Sequence, residues 1–381
     1  MVKLFCSRKA LHEVLATASR AVNGRSTLPI LSHVLVRAEA DRLEVNGSDF
    51  ELWMKADMAA SVVEPGAATF PGKLLTEIVG SLPDGEVSLA VDENNVLLLT
   101  CLRSEYTIRG LPAQDYPVPP KVDGGMSLTM EQALLRRLIG EVSYAAGHNE
   151  TRALMCGANV TILPGAVKME ATDTYRLAVS TLPIPGLVPA DGQESVIVPN
   201  HALEELRRGL ADEGERSVEV QFGKGNARFV LDGLELTTRL IEGQFLNFER
   251  VIPREWEKQI VANRQELLEA LKRVLRILPR QGTHKVIFRM EAAGEGLLSL
   301  ATEAGEVGRA AGEVEATLTG GQVEMAFNGA YVVDALAAME TDQVALEVSR
   351  PLNPGMLRPL WDEPPAEGRS YISVLMPMAI Q

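Results

Sequence analysis

The sequence predicts an α+β fold built from three copies of one unit, each with two amphipathic helices laid on antiparallel sheets. Three observations lead there. A short strand-to-turn phrase recurs as Phe70-Pro71-Gly72-Lys73, Val198-Pro199-Asn200-His201 and Phe327-Asn328-Gly329-Ala330, at offsets of 128 and 129 residues. An apolar stripe at helical spacing follows each phrase, and another stands early in each copy. Between them, apolar and polar residues alternate as a half-buried strand requires.

In the first copy Leu11, Val14, Leu15, Ala18 and Val22 define a helix for which Ser7 is the expected N-cap. Strands follow at 34–36 and 43–45. Leu74, Leu75, Ile78, Val79 and Leu82 mark the second helix, stopped by Pro83-Asp84-Gly85. A hairpin reads from Val87, Leu89 and Val91 through Asn94-Asn95 to a return over 96–102. The second copy opens at Ser127, with helices on Leu134, Leu135, Leu138, Ile139 and Val142 and on Leu203, Leu206 and Leu210. Its hairpin runs from Val218, Val220 and Phe222 through 223–226 to 229–231. The third has Leu267, Leu268, Leu271, Val274, Leu275 and Leu278, then Val332, Val333 and Leu336, then strand residues Val344, Leu346 and Val348. Pro- and Gly-rich linkers at 110–125 and 242–253 separate the copies, giving domains 1–124, 125–251 and 252–381. Both linkers place an aromatic and an acid a few residues before a proline.

Hydrophobic residues make up 46% of the 381, enough for sizeable cores, and aromatics only 5%, so those cores are aliphatic. The opening Met1-Val2-Lys3-Leu4-Phe5 is too short for a secretory signal, and no apolar run reaches the roughly 18 residues of a membrane span. The expectation is a soluble, cytoplasmic chain with no membrane partner. Cys6, Cys101 and Cys156, odd in number and far apart, read as reduced core residues.

The net charge of −14 argues against nucleic acid until its distribution is considered. Six expected helices (7–20, 71–82, 130–146, 199–210, 264–280 and 329–340) carry 13 Lys and Arg against 10 Asp and Glu, a net +3, which leaves −17 for strands and loops. Only local potential matters at a phosphate, because charges beyond about 10 Å are screened. A general preference of helix surfaces for Lys and Arg explains part of the same pattern.

Enzymatic constellations are missing from the sequence. The five histidines never take metal-ligand spacing, and there is neither H-E-x-x-H nor C-x-x-C. Pro71-Gly72-Lys73-Leu74 lacks the remaining residues of a phosphate loop, and no G-x-S-x-G elbow occurs. Asp49 and Asp173 fit turn or capping roles better than catalytic ones. A binding or scaffold role, with no catalytic residue, metal or cofactor, is favoured.

Phrases in order along the whole chain resemble the bacterial DNA polymerase III β subunit, the replicative sliding clamp. They are Arg25-Ser26-Thr27-Leu28-Pro29-Ile30-Leu31, Gly47-Ser48-Asp49-Phe50-Glu51-Leu52, Ala171-Thr172-Asp173-Thr174-Tyr175-Arg176-Leu177-Ala178-Val179, Val196-Ile197-Val198-Pro199, Glu242-Gly243-Gln244-Phe245, Arg250-Val251-Ile252-Pro253 and Met376-Pro377-Met378. The resemblance implies a DNA clamp fold and a head-to-tail homodimer closed into a ring of six units, helices lining the hole and sheets outside. It implies a processivity factor that encircles duplex DNA without reading its sequence. Its partners would be the polymerase III catalytic subunit, an ATP-driven clamp loader, and other replication and repair proteins carrying clamp-binding peptides.

Site residues carry over by position. DNA contacts would be Arg25 and Asn149, with the helix residues Arg20, Arg136, Arg137, Arg207, Lys272 and Arg276, which read equally well as solvated helix charges. A partner-peptide cleft would use Met155, Thr172, Thr174, Tyr175, Arg176 and Leu177, then Leu246, Arg250 and Val251, then Val374, Met376, Pro377 and Met378. The dimer contact would use Lys73, Leu74, Arg103, Tyr106 and Ile108 against Ile277, Leu278, Glu303 and Glu306. The sequence departs from the family at Leu246, where a proline is usual, and at Thr174 and Tyr175, which bear on partner preference. A specialised second clamp in drug resistance or repair would carry the same phrases. An enzyme or small-molecule binder on this scaffold would instead need a pocket of converging polar groups, of which the motifs give no sign.

Overall fold

The computed structural model describes residues 2–22, 24, 28–189, 194–279 and 282–380. Among them are six α-helices: α1 Arg8–Ala18, α2 Gly72–Ser81, α3 Gln132–Val142, α4 Asn200–Gly209, α5 Arg264–Leu275 and α6 Gly329–Ala337. The second helix of each repeat starts on the third residue of the recurring phrase, at Gly72, Asn200 and Gly329. Asn263 and Asn328 cap α5 and α6, each side chain accepting a backbone N–H of the first turn. Ser7 sits at the N-cap of α1, yet its hydroxyl makes no cap bond; the Arg8 N–H donates to the Gly85 carbonyl at 3.0 Å instead. None of the described helices is long and apolar enough to cross a membrane.

The chain divides into two compact units, Met1–Gln132 with Arg208–Leu240, and Ala133–Arg207 with Ile241–Gln381. The first holds a five-stranded sheet, ending in Val96–Cys101 and Ser104–Arg109, and a nine-stranded sheet. The second holds a twelve-stranded sheet. The pairings between named strands are antiparallel throughout, as expected, for example Lys3 with Ala90 and Leu177 with Val374. These units cut across the repeats because the sheets run through them. Leu234–Arg239 of the middle repeat pairs with Leu52–Ala59 of the first, and Arg176–Pro183 of the middle repeat pairs with Ser370–Leu375 of the third.

The stripes read from sequence form the cores, except that Leu74 of the α2 stripe is exposed. Leu11, Leu15, Phe70, Leu75 and Val79 meet Leu89, Leu97 and Leu99 in the first repeat. Leu271, Phe288, Leu300, Phe327 and Leu336 do so in the third, where Phe288 and Phe327 stack edge to face at 5.7 Å. Two expectations need correction. The hairpin return ends at Cys101, and Leu102 enters the turn with a left-handed φ of 52°, largely exposed. Cys6 and Cys101 are core residues, with burial pushing the Cys6 thiol up to about 12 and making it a poor nucleophile. Cys156 is only half-buried, its Sγ 3.3 Å from the Asn149 carbonyl, because it ends a 3₁₀ segment rather than a strand.

Candidate partner-docking cleft

The two strand seams between repeats start from the same turn. Asp49 Oδ1 accepts from the N–H groups of Glu51 and Leu52 at 3.0 and 2.8 Å, and Asp173 Oδ1 from those of Tyr175 and Arg176 at 2.9 and 3.0 Å. Ser48 Oγ and Thr172 Oγ1 accept from the N–H groups of Phe50 and Thr174 at 3.1 and 3.0 Å. Both acids are turn residues, as their sequence context suggests. Phe50 and Thr174 pay the same conformational cost, with φ of 74° and 80°. Thr174→Gly is expected to raise unfolding free energy by about 1 kcal/mol, read as a higher urea midpoint; an unchanged or lower midpoint would mean that the side chain earns back its strain through contacts.

Because the turns match, Trp53 corresponds to Leu177 and Lys55 to Val179, and across the seam Thr237 to Val374 and Glu235 to Ile372. The chemistry diverges at these positions. The first seam is laced by charge: Lys55 lies 2.7 Å from Glu235 and Arg228 lies 2.6 Å from the same carboxylate. Those cations hold the Glu235 carboxyl below its ordinary range despite the desolvation that would raise it. At the second seam the same places carry Leu177, Val179 and Val374, packed with Ile372 and with Phe248, Val251 and Ile252 of the linker. An apolar peptide can be accommodated at the second seam without desolvating ions.

Of the other expected cleft residues, Tyr175 (62%), Leu246 (53%) and Met376 (36%) are exposed. The Met376 N–H donates to the Tyr175 carbonyl at 2.9 Å, extending the seam by one rung. Alongside lies a recess of about 630 Å³ lined by His148, Asn149, Arg152, Met155, Tyr175, Arg176 and Tyr331. Pro377 and Met378 are half-buried, and the Met378 N–H donates to Ala326 at 2.7 Å, tying the tail to the third repeat. Arg250 is exposed on the linker.

Two of the expected cleft residues, Thr172 and Arg176, serve the framework. Thr172 is buried and donates to the Arg176 carbonyl at 2.6 Å, closing the turn. Leu177 and Val374 are patch residues with little exposed surface. Arg176 is buried, bonded to Asp173 at 3.0 Å and to Asp334 at 2.6 Å, with its guanidinium 4.2 Å from the Tyr331 ring centroid and 5.6 Å from that of Tyr144. Beyond it the Tyr144 and Tyr371 hydroxyls are 3.1 Å apart, and burial pushes the Tyr144 phenol up to about 12. A second bolt lies further along the seam: buried Glu141 receives Ser180 Oγ at 2.5 Å and pairs with Arg369, itself near the Trp361 ring. Desolvation raises the Glu141 carboxyl although Arg369 and Ser180 pull it down.

Val179, Ile372 and Phe248 were absent from the sequence expectation. The alternation Leu177-Ala178-Val179 and Ile372-Ser373-Val374 marks the first two, once the strands are known to pair. Tyr331 and Asp334 carry no local signal, since they reach Arg176 only through the fold.

The basic helix residues have varied surroundings. Arg136 donates one bond from Nη1 to the Arg207 carbonyl at the end of α4, which ties part of its guanidinium to the chain. Arg207 lies over Gly140, within 3.2 Å of where a Cβ would stand. Arg137 is 3.3 Å from Glu340 and Lys272 is 2.9 Å from Glu269, both pairs at the surface. Arg20 and Arg276 are exposed, and Asn149 caps a 3₁₀ turn by accepting from Thr151. Arg25 lies outside the described residues. In the first unit Lys73, Leu74 and Arg103 are exposed, Tyr106 is half-buried, and Ile108 is covered by its own core, so it offers backbone more than side chain. In the second unit Ile277 and Leu278 are half-buried beyond the end of α5, and Glu303 and Glu306 are exposed.

Three repeats with sheets continuous across their seams define the DNA-clamp class of fold. Sequence profiles of the DNA polymerase III beta subunit match throughout: the N-terminal domain at residues 2–120, the central domain at 129–247 and the C-terminal domain at 249–378. The beta sliding clamp of Synechocystis sp. is 31% identical over 379 residues, covering 94% of this chain and 96% of its own. That of Pseudomonas aeruginosa is 32% identical over 344 residues, covering 90% and 92%. The crystal structure of the P. aeruginosa clamp bound to griselimycin superposes with a TM-score of 0.88 at 30% identity over 100% of both chains. The C. crescentus beta sliding clamp gives 0.87 at 30% identity, covering 100% and 99%. The chain belongs to the DNA polymerase III beta subunit family, the beta sliding clamps.

Proposed function

We propose that two copies of this chain close head to tail around duplex DNA and tether the polymerase III catalytic subunit, and other peptide-bearing partners, at the second seam. The supporting observation is the arithmetic of seams. The inner strand of each repeat begins after a tight turn, at Trp53, Leu177 and Arg309, opposite Ser48, Thr172 and Glu303 respectively, the third turn being one residue longer than the other two. Two of these strands meet the last strand of the following repeat within the chain. The third, Arg309–Thr319, pairs with Lys258–Asn263 only from Ala316 to Thr319, so the free side of residues 309–315 and the edge strand Ser104–Arg109 are left over for a second copy. A contact of this heterologous kind closes after two copies when each chain spans half a turn.

Transferring the first seam's register puts Tyr106 opposite Ala310 of the other copy, Thr107 opposite Arg309, and Arg103 beside Glu313 rather than Glu303 or Glu306. Ile277 stands close behind, 3.6 Å from where a Gly308 Cβ would be. Domains at 1–124, 125–251 and 252–381 follow from the same repeat. A ring holds DNA by topology, so the basic helix residues need only attract phosphate weakly, without reading bases. The role is non-catalytic, without a cofactor of its own, in the cytoplasm, and depends on an ATP-driven loader to open the ring.

Retention on DNA distinguishes topology from affinity. Loaded onto nicked circular plasmid, the protein is expected to co-elute with it at high salt and to be lost when one cut makes the plasmid linear. Equal retention on both forms would overturn the encircling reading.

A further inference from the structure

The two inter-repeat linkers are fastened differently. In the first, Tyr116 is buried and its hydroxyl shares its one proton between the carbonyls of Asn46 at 3.0 Å and His33 at 3.2 Å, pinning the linker to the sheet. In the second, the aromatic that meets the sheet is Phe248, which has no hydroxyl. Its ring is half-buried against Leu177, Val179 and Val374 and lies 5.6 Å, edge to face, from Phe245. The hydrogen bonds of residues 247–251 are local: the Glu249 N–H donates to Asn247 Oδ1 at 2.9 Å and the Val251 N–H to the Phe248 carbonyl at 2.8 Å. Between residues 243–249 and the polar sheet face of Asn159, Thr161, Lys168, Glu170 and Ser195 lies a recess of about 360 Å³. This stretch of linker is therefore held on the sheet by apolar contact, with space beside it.

We propose that Phe248 is a built-in competitor at the docking cleft: its ring covers the apolar patch that a partner's anchor needs, and the linker is a strap that shifts toward the recess when a peptide docks. The inference rests on the docking reading above. Its consequence is an affinity reduced by the fraction of chains whose strap is out of the way. A wall that grips the peptide would have the opposite effect when removed, and this gives the proposal its test.

Binding of a short fluorescein-labelled peptide with leucine and phenylalanine anchors is measured by anisotropy and stopped flow, on full-length wild type, Phe248→Ala and Met376→Asp. Phe248→Ala is expected to bind roughly three- to tenfold more tightly, mainly through faster association, because the competing ring is gone. Weaker or unchanged binding by Phe248→Ala, together with weakened binding by Met376→Asp, would overturn the strap and leave the cleft standing. Binding unaffected by either substitution would overturn both. Sedimentation of Phe248→Ala alongside wild type establishes that the assembly itself is unaltered.

Discussion

Replacing Arg369 with methionine is expected to cost about 3–5 kcal/mol of unfolding free energy near neutral pH, because it leaves the Glu141 carboxylate buried without its counter-ion. The geometry carries this magnitude. Both side chains are nearly enclosed, Arg369 also donates to Ser180 and to the Ser370 carbonyl, and the ion pair spans the seam between the second and third repeats. The loss should depend on pH in a definite direction. The folded-state pKa of Glu141 is raised above its ordinary 4.5, so its protonation favours the folded state; that contribution is complete below the unfolded value and is lost as pH rises through the folded one. Arg369 is the main group lowering that pKa, and without it the folded value climbs further. The deficit of Arg369→Met is therefore expected to be largest near neutrality and to shrink at a mildly acidic pH, where protonation removes the charge of the isolated carboxyl. Urea unfolding of variant and wild type at the two pH values checks both size and slope. A deficit independent of pH would assign the loss to packing against Trp361 and the lost carbonyl bonds; one below about 1 kcal/mol would mean that water solvates Glu141.

That network marks where sequence reading stops. The helix stripes, hairpins and recurring phrase were legible because their signals are local: a period of three to four residues, a period of two, a turn. The Asp49 and Asp173 turns were legible for the same reason. Glu141 and Arg369 lie 228 positions apart, and Arg176 and Asp334 lie 158 apart, so no window of sequence joins them. The family resemblance placed Thr172, Arg176 and Leu177 at the cleft, but not the division of labour among them. Thr172 and Arg176 fix the turn and the seam, while the apolar surface continues to Val179, Ile372 and Phe248. The basic helices show the limit from the other side. A charge count identifies Arg136 as a candidate phosphate contact; only the fold shows its guanidinium bound to the Arg207 carbonyl.

Threefold repetition also accounts for why the proposed docking cleft would lie at one seam only. The backbone pairing is the same at the first and second seams, so side chains alone decide what each can bind. Lys55, Glu235 and Arg228 satisfy one another at the first, and a peptide anchor would have to desolvate them. Leu177, Val179 and Val374 are apolar and already covered by Phe248, Val251 and Ile252 of the linker, so an apolar anchor taking that place desolvates no ion. The free side of residues 309–315 and the edge strand Ser104–Arg109 carry Glu105, Arg109, Arg309 and Glu313, and in the proposed dimer they join strand to strand with a second copy.

The largest effect on assembly is therefore expected from Tyr106→Glu. Tyr106 lies on the edge strand Ser104–Arg109, half-buried against the first core, and the transferred register sets it over Ala310 of the other copy, where a large side chain meets a small one. In a lone chain a glutamate here can turn to solvent with little loss. In the dimer it would be an unpaired charge in a closed seam, and a central aromatic would be gone. Removing such an anchor costs roughly 2–4 kcal/mol, so the dimer dissociation constant should rise by about thirtyfold to a thousandfold. Sedimentation equilibrium over a dilution series reads this directly: wild type, with a 41.3 kDa chain, should remain a dimer where Tyr106→Glu sediments as monomer. The same variant should fail to stay on circular DNA while still binding the leucine- and phenylalanine-anchored peptide, since the cleft lies at a different seam. A Tyr106→Glu protein that stays dimeric would place the contact elsewhere than on this strand; one that also loses the peptide would show that the substitution acts through the fold and not through the seam.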